Sequence, residues 1–253
     1  MILLETVAVA FSMFSALPVP HVVWNEKNMR YALCAFPLVG VAAGLACWLW
    51  AALCQWLALP AILQGAGLCL VPILVTGGIH LDGYADTCDA RASHADMVRK
   101  QEILKDSHLG AFAAIKLCCY FVACWALWAA LPRYNGAAIL LGLCLSRSLS
   151  ALAVASFPLA KNTGLAHTFA TGADKKRVQL AMTVLAVVLT VGLCLTGGFL
   201  MAAAAWCMFI RYRLMAIREF GGLSGDLAGW FVQMAELWML AALVLTQYVE
   251  GLL

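Results

Sequence analysis

Residues 77 to 90, GGIHLDGYADTCDA, place Asp82, Asp86 and Asp89 at helical spacing directly after an apolar run long enough to cross a bilayer. At about 100° per residue, offsets of four and seven keep the three carboxylates within an arc of roughly 60°. Three acids on one helix face repel one another unless a cation compensates them, and hard divalent ions such as magnesium take oxygen ligands. The plain alternative is a solvated polar face.

A second acidic element, EILKDSHLG at residues 102 to 110, puts Glu102 and Asp106 four apart on one helical face, with Lys105 and Ser107 beside them. Carboxylates and a lysine together suit phosphate chemistry, in which a metal bridges phosphate oxygens and the lysine neutralises charge gathering on the leaving group. Without that role, Glu102 and Lys105 would be an ordinary surface pair worth about 0.2–0.5 kcal/mol. A third element, GGLSGD at residues 221 to 226, is a glycine-rich turn whose amides could approach a phosphate or nucleotide, although it lacks the lysine and spacing of a P-loop. Gly221 and Gly222 would equally suit the end of a helix, and Asp226 the N-cap of the next.

Two charges fall inside apolar runs, Arg147 in LSRSLS and Glu236. A charge near the bilayer centre costs about 2.5–3.5 kcal/mol on insertion scales, so both should face the bundle interior. Arg147 has the better claim to a substrate phosphate; Glu236 is its buried partner or a further metal ligand. Lys116, Arg211 and Arg213 lie near helix ends and can snorkel to the interface. His80 and His108 flank the acidic elements and suit either proton transfer or a hydrogen-bonded structural place.

The elements that position these groups follow from composition. With 64% hydrophobic and 11% charged residues the chain lacks the charged exterior of a soluble domain, and it reads as an all-α, polytopic membrane helix bundle. Apolar runs near 31–57, 60–79, 110–131, 136–157, 178–196, 198–217 and 228–249 predict seven spanning helices. Residues 2–17 are a short candidate for an eighth, against the ~20 residues a bilayer core requires. Pro37, Gly40, Gly44, Gly65 and Gly67 predict kinks or close helix approach. The whole of 1–253 is expected to be one membrane-embedded catalytic domain, with an acidic segment at 80–109 forming two short helices on or dipping into the membrane. Most of the 11 cysteines lie in apolar runs and none forms a C-x-x-C pair, so they read as small core residues.

Lysine and arginine concentrate at 27–30, 91–105, 161–177 and 211–218, segments that alternate correctly to be cytoplasmic. Aspartate and histidine took no part in that assignment, yet all seven aspartates and five histidines fall on the same side. The net charge of +3 is mild and spread over separate segments, which excludes nucleic acid as a partner.

Taken together, HLDGYADTCDA, EILKDSHLG, the pair Ser146–Arg147, and GGLSGD followed by Glu236 resemble the adenosylcobinamide-GDP ribazoletransferase family, the membrane-bound cobalamin (5'-phosphate) synthases. FSMFSALPVP at 11–20 and FPLVG at 36–40 are similar to that family's amino-terminal pattern, in the same order. The resemblance implies a magnesium-dependent transfer in a bacterial or archaeal cytoplasmic membrane, with the site facing the cytoplasm. A hydroxyl of alpha-ribazole, or of its 5'-phosphate, attacks the cobinamide-linked phosphate of adenosylcobinamide-GDP and expels GMP.

It also implies roles. Asp82, Asp86, Lys105 and Asp106 would be catalytic; Asp82, Asp86, Asp89, Glu102, Asp106 and Asp226 would supply metal ligands. Substrate would be bound by His80, Ser107, Arg147, Gly222, Ser224, Gly225 and Asp226, with Arg147 forked on the donor diphosphate and Glu236 as its alternative, structural partner. His108, Ser224 and Gln233 depart from residues common in the family. Partners beyond the substrates would be the lipid bilayer and either a second copy or other cobalamin-assembly enzymes. Two alternatives stand beside this reading. The DG-x-x-A of Asp82 to Ala85 is similar to the CDP-alcohol phosphotransferases, but Asp86 replaces the arginine expected next. An ion-coupled transporter would account for Arg147 and Glu236 but not for acids gathered at one interface.

Overall fold

The computed structural model describes residues 2–106 and 108–252. Among them the chain forms twelve helices and no strand, with one isolated parallel bridge between Leu159 and Leu223. Six helices are long and apolar enough to cross a bilayer: α3 (Ala32–Trp56), α7 (Ala111–Ala130), α8 (Gly136–Ser156), α10 (Lys175–Leu195), α11 (Phe199–Phe220) and α12 (Gly225–Glu250). Their outer faces carry exposed Trp48, Leu49, Val122, Val187, Val188 and Leu195, a surface that suits lipid and not water. The chain is a multi-pass membrane protein.

The apolar run at 60–79 departs from a continuous span. Its helix α4 (Ala61–Thr76) stops at Gly77 and Gly78, both left-handed at φ 65° and 80°, and the chain turns 98° into α5 (Ile79–Ala92). Consecutive left-handed residues are open to glycine at little steric cost and end an α-helix. Counting the bent pair as one crossing gives up to seven spans. We read α4 as the seventh, because the basic segments alternate only if it crosses, and α5 as a helix outside the spans.

The other short elements are α1 (Ile2–Phe14), α2 (Glu26–Met29), α6 (Met97–Ile103) and α9 (Leu165–Gly172). At 13 residues α1 reaches only about 20 Å against a core of ~30 Å, so residues 2–17 do not make an eighth span. The segment 80–109 forms the two short helices expected of it, but α5 does more than rest on a surface: it packs between α7 and α12. Neither α2 nor α9 was foreseen; both are short helices, of 4 and 8 residues, in basic connections between the longer ones.

Close approach is built where glycine permits it. Against α8, a Cβ on Gly40 of α3 would come within 2.7 Å of the Leu143 carbonyl oxygen, so the two helices meet almost backbone to backbone, as the glycines of that run predicted. The interior behind this contact is lined by Phe36, Leu145, Leu149, Phe231 and Trp230, and it supports the basic end where the polar residues gather.

Candidate active site

Asp82, Asp86 and Asp89 share α5 as the spacing required, and the structure brings the expected Asp226, in the first turn of α12, to them. Two glycines bring the helices together. A Cβ on Gly83 would lie 2.7 Å from the Asp226 carbonyl oxygen, and one on Gly229 would lie 2.9 Å from that of His80. Any side chain at these positions would force α5 and α12 apart and separate the acids with them. Ser224 is the N-cap of α12, accepting from Leu227 N at 3.3 Å, which leaves the Asp226 carboxylate free of that duty.

The four carboxylates act on one another. Burial, then the charges of Asp82, Asp226 and Asp89, push the Asp86 carboxyl up to about 6. A cation among them would relieve that repulsion, and an all-carboxylate donor set fits a hard divalent ion such as magnesium. Among the described residues no three acids, histidines or cysteines converge as they stand to enclose a metal, so the side chains would have to close on it. Asp89 also serves its own helix junction, where its Oδ1 lies 3.4 Å from Ala113 N at the start of α7 and a carboxylate meets free amides.

Beside Asp226 opens a cavity of about 350 Å³ lined by Lys105, Lys161, His167, Ser224, Gly225 and Asp226. Its lysines arrive from different segments. Helix α6 is tied to the α11–α12 turn by Gln101 Nε2, which donates to the Phe220 carbonyl at 2.7 Å, and by Lys100, 3.0 Å from Glu219. Glu219 also pairs with Arg91 of α5 at 3.1 Å. These bonds set Lys105 at the cavity rim. Lys161 donates to the Gln101 carbonyl at 3.1 Å, while the chain around it is pinned to the same turn through Ala160 N to Leu223 O at 2.9 Å and Leu223 N to Pro158 O at 2.8 Å. Burial, then Lys105, lower the Lys161 ammonium. Lys161 was legible only as one charge in a basic segment; nothing in its local sequence marks it for the site.

Several expected site residues are placed elsewhere. Glu102 is exposed and pairs with Arg99 at 2.8 Å, and Asp106 is exposed and bonded to His108 Nδ1 at 2.7 Å, so the structure does not gather either with the four aspartates. The cause is that α6 ends at Ile103, which breaks the helical face assumed for this pair. Ser107 lies outside the described residues. Gly222 is not at the cavity: it is buried, and a Cβ there would meet Ala160 N at 2.6 Å, so its smallness serves the chain contact. Gly221 ends α11 in the left-handed conformation.

Arg147, 1% exposed, has the partner named as its alternative. Its Nη1 contacts Glu236 Oε1 and donates to the Leu143 carbonyl at 3.0 Å, while Ser146 Oγ donates to Glu236 at 2.8 Å. That arrangement compensates both charges deep in the bundle. His80 is buried against Phe14 and Phe36, with its Nε2 unpartnered.

The chain matches the model of a family described as "Cobalamin-5-phosphate synthase" over residues 6–244. A protein of Lachnoclostridium phytofermentans named adenosylcobinamide-GDP ribazoletransferase is 41% identical over 248 residues, covering 96% of this chain and 95% of its own. A Clostridium botulinum (strain Eklund 17B) protein of the same name is 30% identical over 239 residues, covering 93% and 95%. No solved structure matches. A match that runs from within α1 to within α12 takes in every acid and lysine named above, and the chain belongs to the cobalamin-5-phosphate synthase family.

Proposed function

We propose that the chain joins adenosylcobinamide-GDP to ribazole, or to its 5'-phosphate, with release of GMP, in a magnesium-dependent reaction on the cytosolic face of the membrane. The single observation that carries the reading is the Gly83–Asp226 contact, which sets four carboxylates next to a cavity holding Lys105 and Lys161. Family membership favours it over the lipid-enzyme and transporter alternatives. For the cytosolic face, the support is the gathering of basic residues at this end of the spans.

Asp82, Asp89 and Asp226 would hold the metal, which when bound supplies charge to the diphosphate oxygens and polarises the phosphorus under attack. Lys105 and Lys161 take the remaining diphosphate charge, and the exposed amides at the start of α12 add their dipole. Asp86, whose burial makes it a stronger base than an ordinary aspartate, accepts the proton of the attacking ribose hydroxyl. The new bond joins that oxygen to the cobinamide-linked phosphorus. The bond that breaks is the one from this phosphorus to the bridging oxygen, which leaves on GMP with its electron pair beside the lysines.

The test uses purified protein with adenosylcobinamide-GDP and magnesium, with and without ribazole. GMP should appear only with ribazole and in step with the cobalamin product. GMP released at the same rate without ribazole would mean hydrolysis, and the transfer reading would fail.

A further inference from the structure

A second cavity, of about 170 Å³, adjoins the lysine cavity at Leu165, Ala166, Gly225 and Asp226 and is enclosed by α1, α3, α5, α8, α9 and α12. Its wall is aromatic. Phe14 lies 4.3 Å from Phe36 and 5.2 Å from Phe169 between ring centroids, and His80 lies 5.5 Å from Phe36. A dry apolar cavity of about 150 Å³ is enough for one benzene-sized ring, so this one takes a small flat aromatic system and not a whole nucleotide.

Two features say which. His80 is only 5% exposed, and its Nε2 has no hydrogen-bond partner, a costly state unless a ligand supplies one. The cavity's polar end is Asp82 and Asp226, so a ring seated inside would leave its sugar at the carboxylates.

We propose that this cavity seats the aromatic base of the acceptor nucleoside, its ring packed among Phe14, Phe36 and Phe169 and its ring nitrogen facing His80 Nε2. The proposal rests on the acceptor being a ribazole, as argued above. A benzimidazole-type base, mostly hydrocarbon with one free ring nitrogen, matches a wall with one free imidazole nitrogen. Guanine, the donor's base, carries polar groups along two edges and would leave several unpaired here. Seating the acceptor base here and the diphosphate by the lysines brings the ribose hydroxyl toward Asp226, which lines both cavities, and so toward the phosphorus it attacks.

Met13 lines this cavity but not the lysine cavity, and on α1 it is only half-buried, so a larger side chain there can fill the space with little disturbance of the spans. In Met13→Trp the KM for ribazole should rise about tenfold or more, while the KM for adenosylcobinamide-GDP and kcat at saturating ribazole stay within about twofold. Calorimetric titration with benzimidazole should show binding to the unmodified protein, about tenfold weaker binding to Met13→Trp, and a similar loss in His80→Leu. If Met13→Trp fails to accumulate, Phe169→Leu removes a ring instead of adding one and should raise the same KM.

An unchanged ribazole KM in a protein that still makes cobalamin would overturn the base site and leave the reaction standing. A rise in the donor KM instead would assign the cavity to guanine and overturn it equally. Should the protein release no GMP with any acceptor, the functional reading fails, and titration still decides the cavity: benzimidazole binding that Met13→Trp does not weaken sinks the proposal.

Discussion

Asp82 and Asp86 stand among acids that only a cation or a proton can reconcile. Replacing either by Asn keeps size and removes charge, so Asp82→Asn and Asp86→Asn should each lower turnover at least about a hundredfold while leaving membrane insertion intact. Near-normal rates at limiting magnesium would return the cluster to a solvated face. Glu102→Gln, by contrast, should change turnover less than about twofold, because an exposed pair with Arg99 is worth little. For Arg147 the pairing with Glu236 makes a different prediction. Arg147→Met or Glu236→Gln alone leaves one buried charge uncompensated and should destabilise by about 3–5 kcal/mol, whereas the double variant should recover most of that in thermal unfolding and retain GMP release. A double variant that is stable but inactive would give Arg147 back its place on the donor. At this scale the acids were legible because their spacing is local. The shared face of Glu102 and Asp106 failed for the same reason: it presumes a helix, and α6 ends between them.

Helices α5 and α12 meet through Gly83 and Gly229, and the site exists only while they do. Gly83→Val should therefore cost at least about a hundredfold in turnover with all four aspartates still present, since displacement of about an ångström is enough. Activity within a few-fold of the unmodified protein would show that the close approach is not needed. Lys161, carried in on the chain between α8 and α9, gives a second test: Lys161→Gln should raise the KM for the donor and lower turnover by about 10–100-fold, with the KM for ribazole unchanged. The apolar runs announced most of these helices, and the glycines announced the α3–α8 crossing. The acidic segment and the GGLSGD turn were expected at one site, but the 98° turn after α4 and the reach of Lys161 were not legible, because each depends on what another segment brings to the same place.

Across the whole molecule, polar chemistry gathers at one end of an apolar bundle, so a large charged donor need not cross the membrane. Cysteines placed at exposed Asp96 and Asn162, in a background without reactive native thiols, should both label from the cytosol and neither from outside. Labelling from opposite faces would break the shared site. Asp226, expected among the metal ligands, is the acid that α12 brings to the three on α5, and the proposed metal-assisted transfer depends on it. The decisive comparison is the magnesium dependence of coupled GMP and cobalamin formation in the unmodified protein and in Asp226→Asn. Both products should form in equal amounts and only with a divalent cation, and the variant should need far more magnesium or not turn over at all. A wild-type rate and an unchanged magnesium requirement in Asp226→Asn would contradict a metal site shared between α5 and α12.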